Sequence, residues 1–192
     1  YNNAFWNGTF MIFGNGDGNT FSDLAGSLDV TGHEMSHGVT EHTANLVYEL
    51  QSGALNEHFS DAMGVAVDFF ANPGTANFLV GEDVTSPATP GDGLRNMQDP
   101  HNAFSPQPAT MAEFNNLPNN DDNDHGGVHT NSGIPNRAFF LASTAAGMTV
   151  AKSERIWYRC LSQYLVRNSQ FVDFRIGLTK AHGSGFLHGL KH

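Results

Sequence analysis

The five residues His33-Glu34-Met35-Ser36-His37 constrain this chain more tightly than anything else in it. Two histidines four positions apart lie one turn above each other on a single helix face. That spacing presents two imidazoles to one zinc ion, with Glu34 beside the metal as a base. The plain alternative is a surface pair of histidines on an inert helix, and Glu57 argues against it. Residues 38–56 separate His37 from Glu57, enough chain for the first helix to end, turn and return a carboxylate from the start of a second helix. Two His and one Glu leave a fourth coordination position open, which is a catalytic rather than a structural zinc arrangement. Asp61, one turn beyond Glu57, is placed to hydrogen-bond the far nitrogen of one zinc histidine, and Asn56 that of the other, which fixes their tautomers.

With 192 residues, 39% of them hydrophobic, the chain can bury one core, as a single domain or as two lobes sharing a helix. The net charge of −10, from 19 acidic and 9 basic residues, argues against nucleic acid and anionic membrane surfaces as partners. Some of those carboxylates could gather around a hard cation such as calcium; the rest are a solvated acidic surface. Cys160 is the sole cysteine, so no intramolecular disulfide forms and zinc ligation by cysteine is excluded. It falls at helical spacing among Trp157, Leu161 and Tyr164 and reads as a buried small hydrophobe. No apolar run is long enough to span a membrane; the stretch 65–70 is broken by Asp68. The chain opens at Tyr1 without an initiator Met and reads as a processed or cut chain.

Residues 1–24 alternate aromatic and polar side chains around a turn at Gly14-Asn15-Gly16-Asp17-Gly18 and read as a strand or hairpin. A first helix is expected over 29–44 with Asp29 as N-cap. Gly32 inside it costs about 1 kcal/mol relative to Ala, so something must pack closely there. A second helix carries Leu55, Phe59, Met63, Ala66 and Phe70 at three-to-four spacing and ends before Asn72-Pro73-Gly74. Residues 80–123 read as long surface loops, and 115–124 as solvated loop rather than an ion site. Three further helices are expected: one after Pro135 stopping at Gly147, one over 151–165 and one over 172–181. The fold class is α+β, mostly helical.

The chain resembles the thermolysin family of zinc neutral endopeptidases. Tyr1-Asn2-Asn3-Ala4-Phe5-Trp6-Asn7-Gly8 is similar to the family's edge-strand motif, and residues 30–61 to its zinc-binding helix pair. Gly81-Glu82-Asp83-Val84, Gly91-Asp92-Gly93-Leu94-Arg95-Asn96-Met97 and Asp124-His125-Gly126-Gly127-Val128-His129-Thr130-Asn131-Ser132-Gly133 match later signatures. Gln107-Pro108-Ala109 and Ile134-Pro135-Asn136-Arg137 look most like the protealysin branch. The resemblance implies the C-terminal portion of a two-lobe fold. Residues 1–48 would end the N-terminal lobe, with edge strand, hairpin and central zinc helix, and 49–192 would form the helical C-terminal lobe.

It also implies roles. His33, His37 and Glu57 bind zinc, and Glu34 shuttles the proton of the attacking water. Tyr48 and His129 donate to the oxyanion, with Asp124 orienting His129. Arg95 grips a substrate carbonyl, while Asn3 and Ala4 align the peptide backbone. Phe21, Leu24, Val30, Val80, Val84 and Leu94 form an apolar pocket selecting Leu, Phe, Ile or Val after the scissile bond. One structural calcium is expected at Asp29, Asp68 and Glu82, with Asn77 a weak ligand; Leu79 stands where the family has a further acidic residue.

The family's β-rich N-terminal half is absent, and residues 181–192 lack its final amphipathic helix. His182, His188 and His192 read as a polar tail. The expected partners are peptide or protein substrates and the chain's own N-terminal half or propeptide, in a secreted monomer. The competing reading is a truncated, inactive fragment that binds zinc and peptides. An aminopeptidase is disfavoured, because no amine-recognition motif is present.

Overall fold

A computed structural model describes residues 1–89 and 91–183. Strand β1 (Ala4–Trp6) pairs antiparallel with β2 (Met11–Phe13), with Ala4 opposite Phe13 and Trp6 opposite Met11. The hairpin turn lies at 7–10, not at the glycine run expected to form it. The Asn7 side chain accepts the backbone N–H groups of Thr9 and Phe10 at 3.0 and 2.9 Å, and Asn7 N–H closes on Phe10 O. Gly14 instead extends the strand ladder, donating to Asn3 O at 2.9 Å.

Helices α1 (Leu28–Glu41) and α2 (Leu50–Ala71) form the frame that carries the zinc motif. Two expectations are corrected here. Asp29 is not the N-cap; Ser27 stands there, and Asp29 turns inward from the first helical turn. Its buried carboxylate accepts Gly81 N–H at 2.6 Å, Val30 N–H at 2.7 Å and the Ser27 hydroxyl, tying α1 to a distant loop. Glu57 does not begin the second helix, which starts at Leu50 and carries Glu57 about two turns inside. Helix α2 is buried on most of its circumference, as a central core helix must be. Gly32 is explained by its neighbour: a Cβ there would sit 2.9 Å from Gly64 Cα. The two glycines let α1 and α2 touch backbone to backbone.

Strands β3 (Leu79–Val80) and β4 (Arg95–Asn96) make a second short antiparallel pair. Helices α3 (Asp124–Asn131), α4 (Gly133–Ser143), α5 (Val150–Tyr164) and α6 (Phe171–His182) complete the body. The first of these was not foreseen. Pro135 lies within the first turn of α4, where its missing N–H leaves no helical bond unmade. Helix α6 opens with a capping box between Gln170 and Asp173.

The main core joins Leu55 and Phe59 of α2 to Phe139, Trp157, Leu161 and Phe174. Their rings meet edge to face, Phe139–Trp157 at 5.2 Å and Phe59–Phe174 at 5.4 Å. Cys160 is fully buried in it, and burial pushes its thiol up to about 12. A smaller cluster of Leu24, Val30 and Val84 lies under the hairpin with Ala4, Phe13 and Phe21 packed on it. No helix among the described residues is long and apolar enough to cross a membrane. His188 and His192 lie outside the described residues.

Within this core His58 is wholly buried, and burial holds its pKa down at about 4 against an ordinary 6.5. The folded state therefore prefers neutral His58. Its contribution to stability is complete above pH 6.5 and is lost as pH falls through about 4, on the order of 3 kcal/mol in all. Urea unfolding should show this acid slope in the wild type and a shallower one in His58→Gln; parallel slopes would exclude the effect.

Candidate metal centre and cleft

His33 and His37 on α1 and Glu57 on α2 converge. Among the described residues they are the one group of three His, Cys, Asp or Glu side chains whose ligand atoms all lie within 4.8 Å of one another. The Nε2 atoms of His33 and His37 stand 3.0 Å apart, and each lies 3.5 Å from an oxygen of Glu57. The other ring nitrogens are committed: His33 Nδ1 to Asp61 Oδ1 and His37 Nδ1 to Asn56 Oδ1, both at 2.8 Å. Carboxylate and amide oxygens only accept, so each Nδ1 carries hydrogen and each neutral ring presents an Nε2 lone pair.

Glu57 is 1% exposed and its Oε2 has no hydrogen-bond partner. Burial raises its pKa, but the charge of His129, and of His37 and His33 when they are protonated, outweighs burial and holds it at about 2. Two lone pairs and an orphaned carboxylate oxygen facing one another in a dry site are mutually repulsive without a cation. A small dication taking N and O ligands, such as zinc, fits that donor set.

Asp61, fully buried, accepts four N–H groups. They come from His33 Nδ1, from Arg95 through Nε at 2.8 Å and Nη2 at 2.6 Å, and from Asn136 Nδ2 at 2.7 Å. Arg95 lines the cleft, yet two of its nitrogens are committed to Asp61, a tie the sequence reading did not place there. Asn136 and the buried His58 and Trp157 behind it were also missed.

Glu34 lies beside the triad with its carboxyl buried, and burial raises its pKa. The Trp6 backbone N–H bonds it, while its Oε2 has no partner. Trp6 also lays its ring on Gly38 and donates its indole N–H to Glu41 at 2.7 Å, clasping the hairpin to α1. The Tyr48 hydroxyl donates to Glu57 Oε1 and lies 3.2 Å from His129 Nε2.

Asp124 Oδ1 meets His129 Nδ1 at 2.7 Å, and its Oδ2 accepts His129 backbone N–H at the same distance. Partial burial works against charge on His129, but Glu57 and Asp124 outweigh it and lift the pKa to about 9. What returns Asp124 over its own helix is a left-handed turn. Residues Asp124, His125, Gly126 and Gly127 have φ of 52°, 50°, 88° and 76°. Left-handed backbone costs the two non-glycine residues about 1–2 kcal/mol each. The Gly126-Gly127 pair was the available signal for it.

The triad opens into a cavity of about 460 Å³ walled by Leu24, Val30, Val80, Val84 and Leu94, with Asn3 and Ala4 on its rim. Phe21 does not line it. Phe21 bridges Thr85 and packs edge-on against Phe104 at 6.0 Å, supporting the wall from behind. The residues named for calcium do not converge as the triad does. Asp29 is occupied as described, Asp68 accepts the Asn72 amide at 2.8 Å, and Glu82 accepts the Asn77 amide at 2.7 Å.

Two family profiles cover this architecture: the thermolysin metallopeptidase catalytic domain over residues 1–41 and its alpha-helical domain over 44–189. The chain belongs to the thermolysin metallopeptidase family. It is 50% identical over 183 residues to neutral protease NprE of Bacillus pumilus, covering 94% of this chain and 56% of that protein. It is also 50% identical over 180 residues to an extracellular elastase of Staphylococcus epidermidis, covering 94% of this chain and 33% of that one. The precursor of protealysin, a metalloproteinase from Serratia proteamaculans, superposes with a TM-score of 0.86 at 41% identity, covering 97% of this chain and 60% of that one. The chain thus spans between a third and three fifths of these relatives. The mostly helical body matches the thermolysin-family helical domain, and the residues before it match that family's catalytic domain.

Proposed function

We propose that this thermolysin-family chain carries the catalytic apparatus of a zinc endopeptidase that cuts internal peptide bonds on the amino side of bulky hydrophobic residues. The observation that carries the reading is the convergence of two Nε2 lone pairs and the unpartnered Glu57 Oε2 beside Glu34, at the floor of an apolar cleft. His33, His37 and Glu57 would hold the ion. Bound zinc supplies Lewis acidity toward a peptide carbonyl and lowers the pKa of water. Glu34 takes a proton from the attacking water and delivers it to the departing amine.

Tyr48 and His129 stand on one side of the triad and donate to the developing oxyanion, a contribution of about 100- to 1,000-fold in rate for one donor. Asp124 keeps His129 oriented and charged. The edge strand β1, through Asn3 and Ala4, pairs with an extended peptide, and the uncommitted edge of the Arg95 guanidinium meets a substrate carbonyl. The aliphatic wall discriminates among side chains by roughly 1–3 kcal/mol per methylene. A secreted monomer acting on proteins suits this reading.

An internally quenched peptide with both ends blocked and Leu after its scissile bond should be cleaved. A zinc chelator should stop cleavage and added zinc should restore it. Zinc and peptide bound without turnover would favour the inert-fragment reading, which the limited span of the chain keeps in play. Cleavage only of peptides with a free amino end would point to an aminopeptidase.

One calcium at Asp29, Glu82 and Asp68 belongs to the same proposal. Burial and the charge of Asp29 push Glu82 up to about 7, and burial raises Asp29, a pairing of carboxyl groups that a hard cation would relieve. Calcium should therefore raise the melting temperature, and Glu82→Gln should remove most of the rise. A calcium-insensitive wild type would dismiss the site.

A further inference from the structure

Behind the metal centre a line of buried polar groups crosses the core from α5 to α1. Trp157 Nε1 lies 2.8 Å from His58 Nε2, His58 Nδ1 lies 2.7 Å from Asn136 Oδ1, and Asn136 Nδ2 lies 2.7 Å from Asp61 Oδ2. Asp61 then meets His33 Nδ1. His58, Asp61 and Asn136 are fully buried and Trp157 nearly so, leaving little room for water to substitute.

The direction of this line is fixed from both ends. An indole nitrogen only donates, so His58 Nε2 must accept and His58 Nδ1 must carry the ring hydrogen. A carboxylate only accepts, so Asn136 must turn its NH₂ toward Asp61 and its carbonyl toward His58. The two constraints agree at the His58–Asn136 bond. Every hydrogen runs toward Asp61, which is held to receive the His33 Nδ1–H and so leaves the His33 Nε2 lone pair for a metal.

We infer that Trp157, His58 and Asn136 are positioning residues: a one-way hydrogen-bond relay that orients Asp61 and, through it, the metal-ready form of His33. Partners of a ligand histidine typically influence metal affinity by about 10- to 100-fold. The relay extends that influence to a tryptophan on α5. A side chain that merely fills space would not need the direction to be right, and this separates the proposal from a packing role. His58 packs against Phe59 and Phe174 at ring distances of 5.4 and 5.3 Å, so Phe fits its aromatic surroundings, while Gln can both accept from Trp157 and donate to Asn136.

The affinity test rests on the zinc reading; the tautomer test does not. In ¹⁵N NMR of the protein His58 should be neutral with hydrogen on Nδ1, and hydrogen on Nε2 would overturn the relay whether or not metal binds. In competition with a chromogenic chelator, His58→Phe should bind zinc about 10- to 100-fold more weakly, and His58→Gln close to wild type. Equal affinities across the three proteins, or equal losses in both variants, would overturn it. A wild type that binds no zinc would instead sink the metal reading. If His58→Phe does not fold, the tautomer decides.

Discussion

Peptide hydrolysis by Glu34→Gln is expected to fall about 100- to 10,000-fold while zinc content stays near that of the wild type. Glu34 sits one position after a ligand on α1, so its side chain leaves the ligand face and reaches the cleft beside it. Its carboxyl is buried with one oxygen unpartnered, and burial raises its pKa, which suits a group that must take a proton and return it near neutral pH. Gln has nearly the same volume, and its carbonyl can still accept the Trp6 N–H, so the fold should tolerate it. Turnover of a blocked quenched peptide and metal content by atomic absorption read the two effects separately. Undiminished turnover would remove Glu34 from the chemistry. Metal lost together with activity would make it a support of the site instead.

Gly64→Ala should destabilise the protein by about 1–3 kcal/mol or more and weaken zinc binding with it. The added Cβ would press on the backbone oxygen of Asp29 and lie 3.1 Å from His33 N. The obstruction is helix backbone, which cannot swing aside as a flexible side chain can. Helix α1 must move off α2, and the ligands divide between those two helices. Gly74→Ala is the control. It is exposed, with nothing within 4 Å of its added Cβ, and should change stability by no more than about 0.5 kcal/mol. Urea titrations of both variants, with chelator competition on the same samples, test the pair. Equal behaviour would mean that the helix contact is not tight.

The convergence of the candidate ligands was legible because the helix period is local. His33 and His37 share a face by spacing, Asp61 follows Glu57 by the same arithmetic, and Asn56 stands immediately before Glu57. What was not legible depends on partners far along the chain. Asp29 reads as a cap until Gly81, 52 residues later, supplies the N–H that draws it inward. His58 carries no signal of its own until Asn136 and Trp157, 78 and 99 residues away, bracket its ring. Arg95 was assigned to the substrate, and its bidentate hold on Asp61 spans 34 residues. The start of α2 was placed late because Leu50 enters with φ of 51° and Gly53 follows, a weak local opening that Tyr48 and Val128 complete from outside. The Asp124 turn failed for a related reason. Two non-glycine residues adopt a left-handed path that their own preferences oppose, and the reward, a doubly bonded His129, is visible only in three dimensions.

Trp6 joins two events that a chemist would otherwise treat as independent. Its peptide N–H rests on the base and its ring on the outer face of the same helix, while its strand forms the rail along which an extended polypeptide would lie. A polypeptide lying along that rail, as the proposed function has it, would bear on the Trp6 N–H that Glu34 accepts. On the proposed function, a segment too short to reach the rail would leave that contact undisturbed, and the length of the bound chain would then bear on turnover beside the side chain in the pocket.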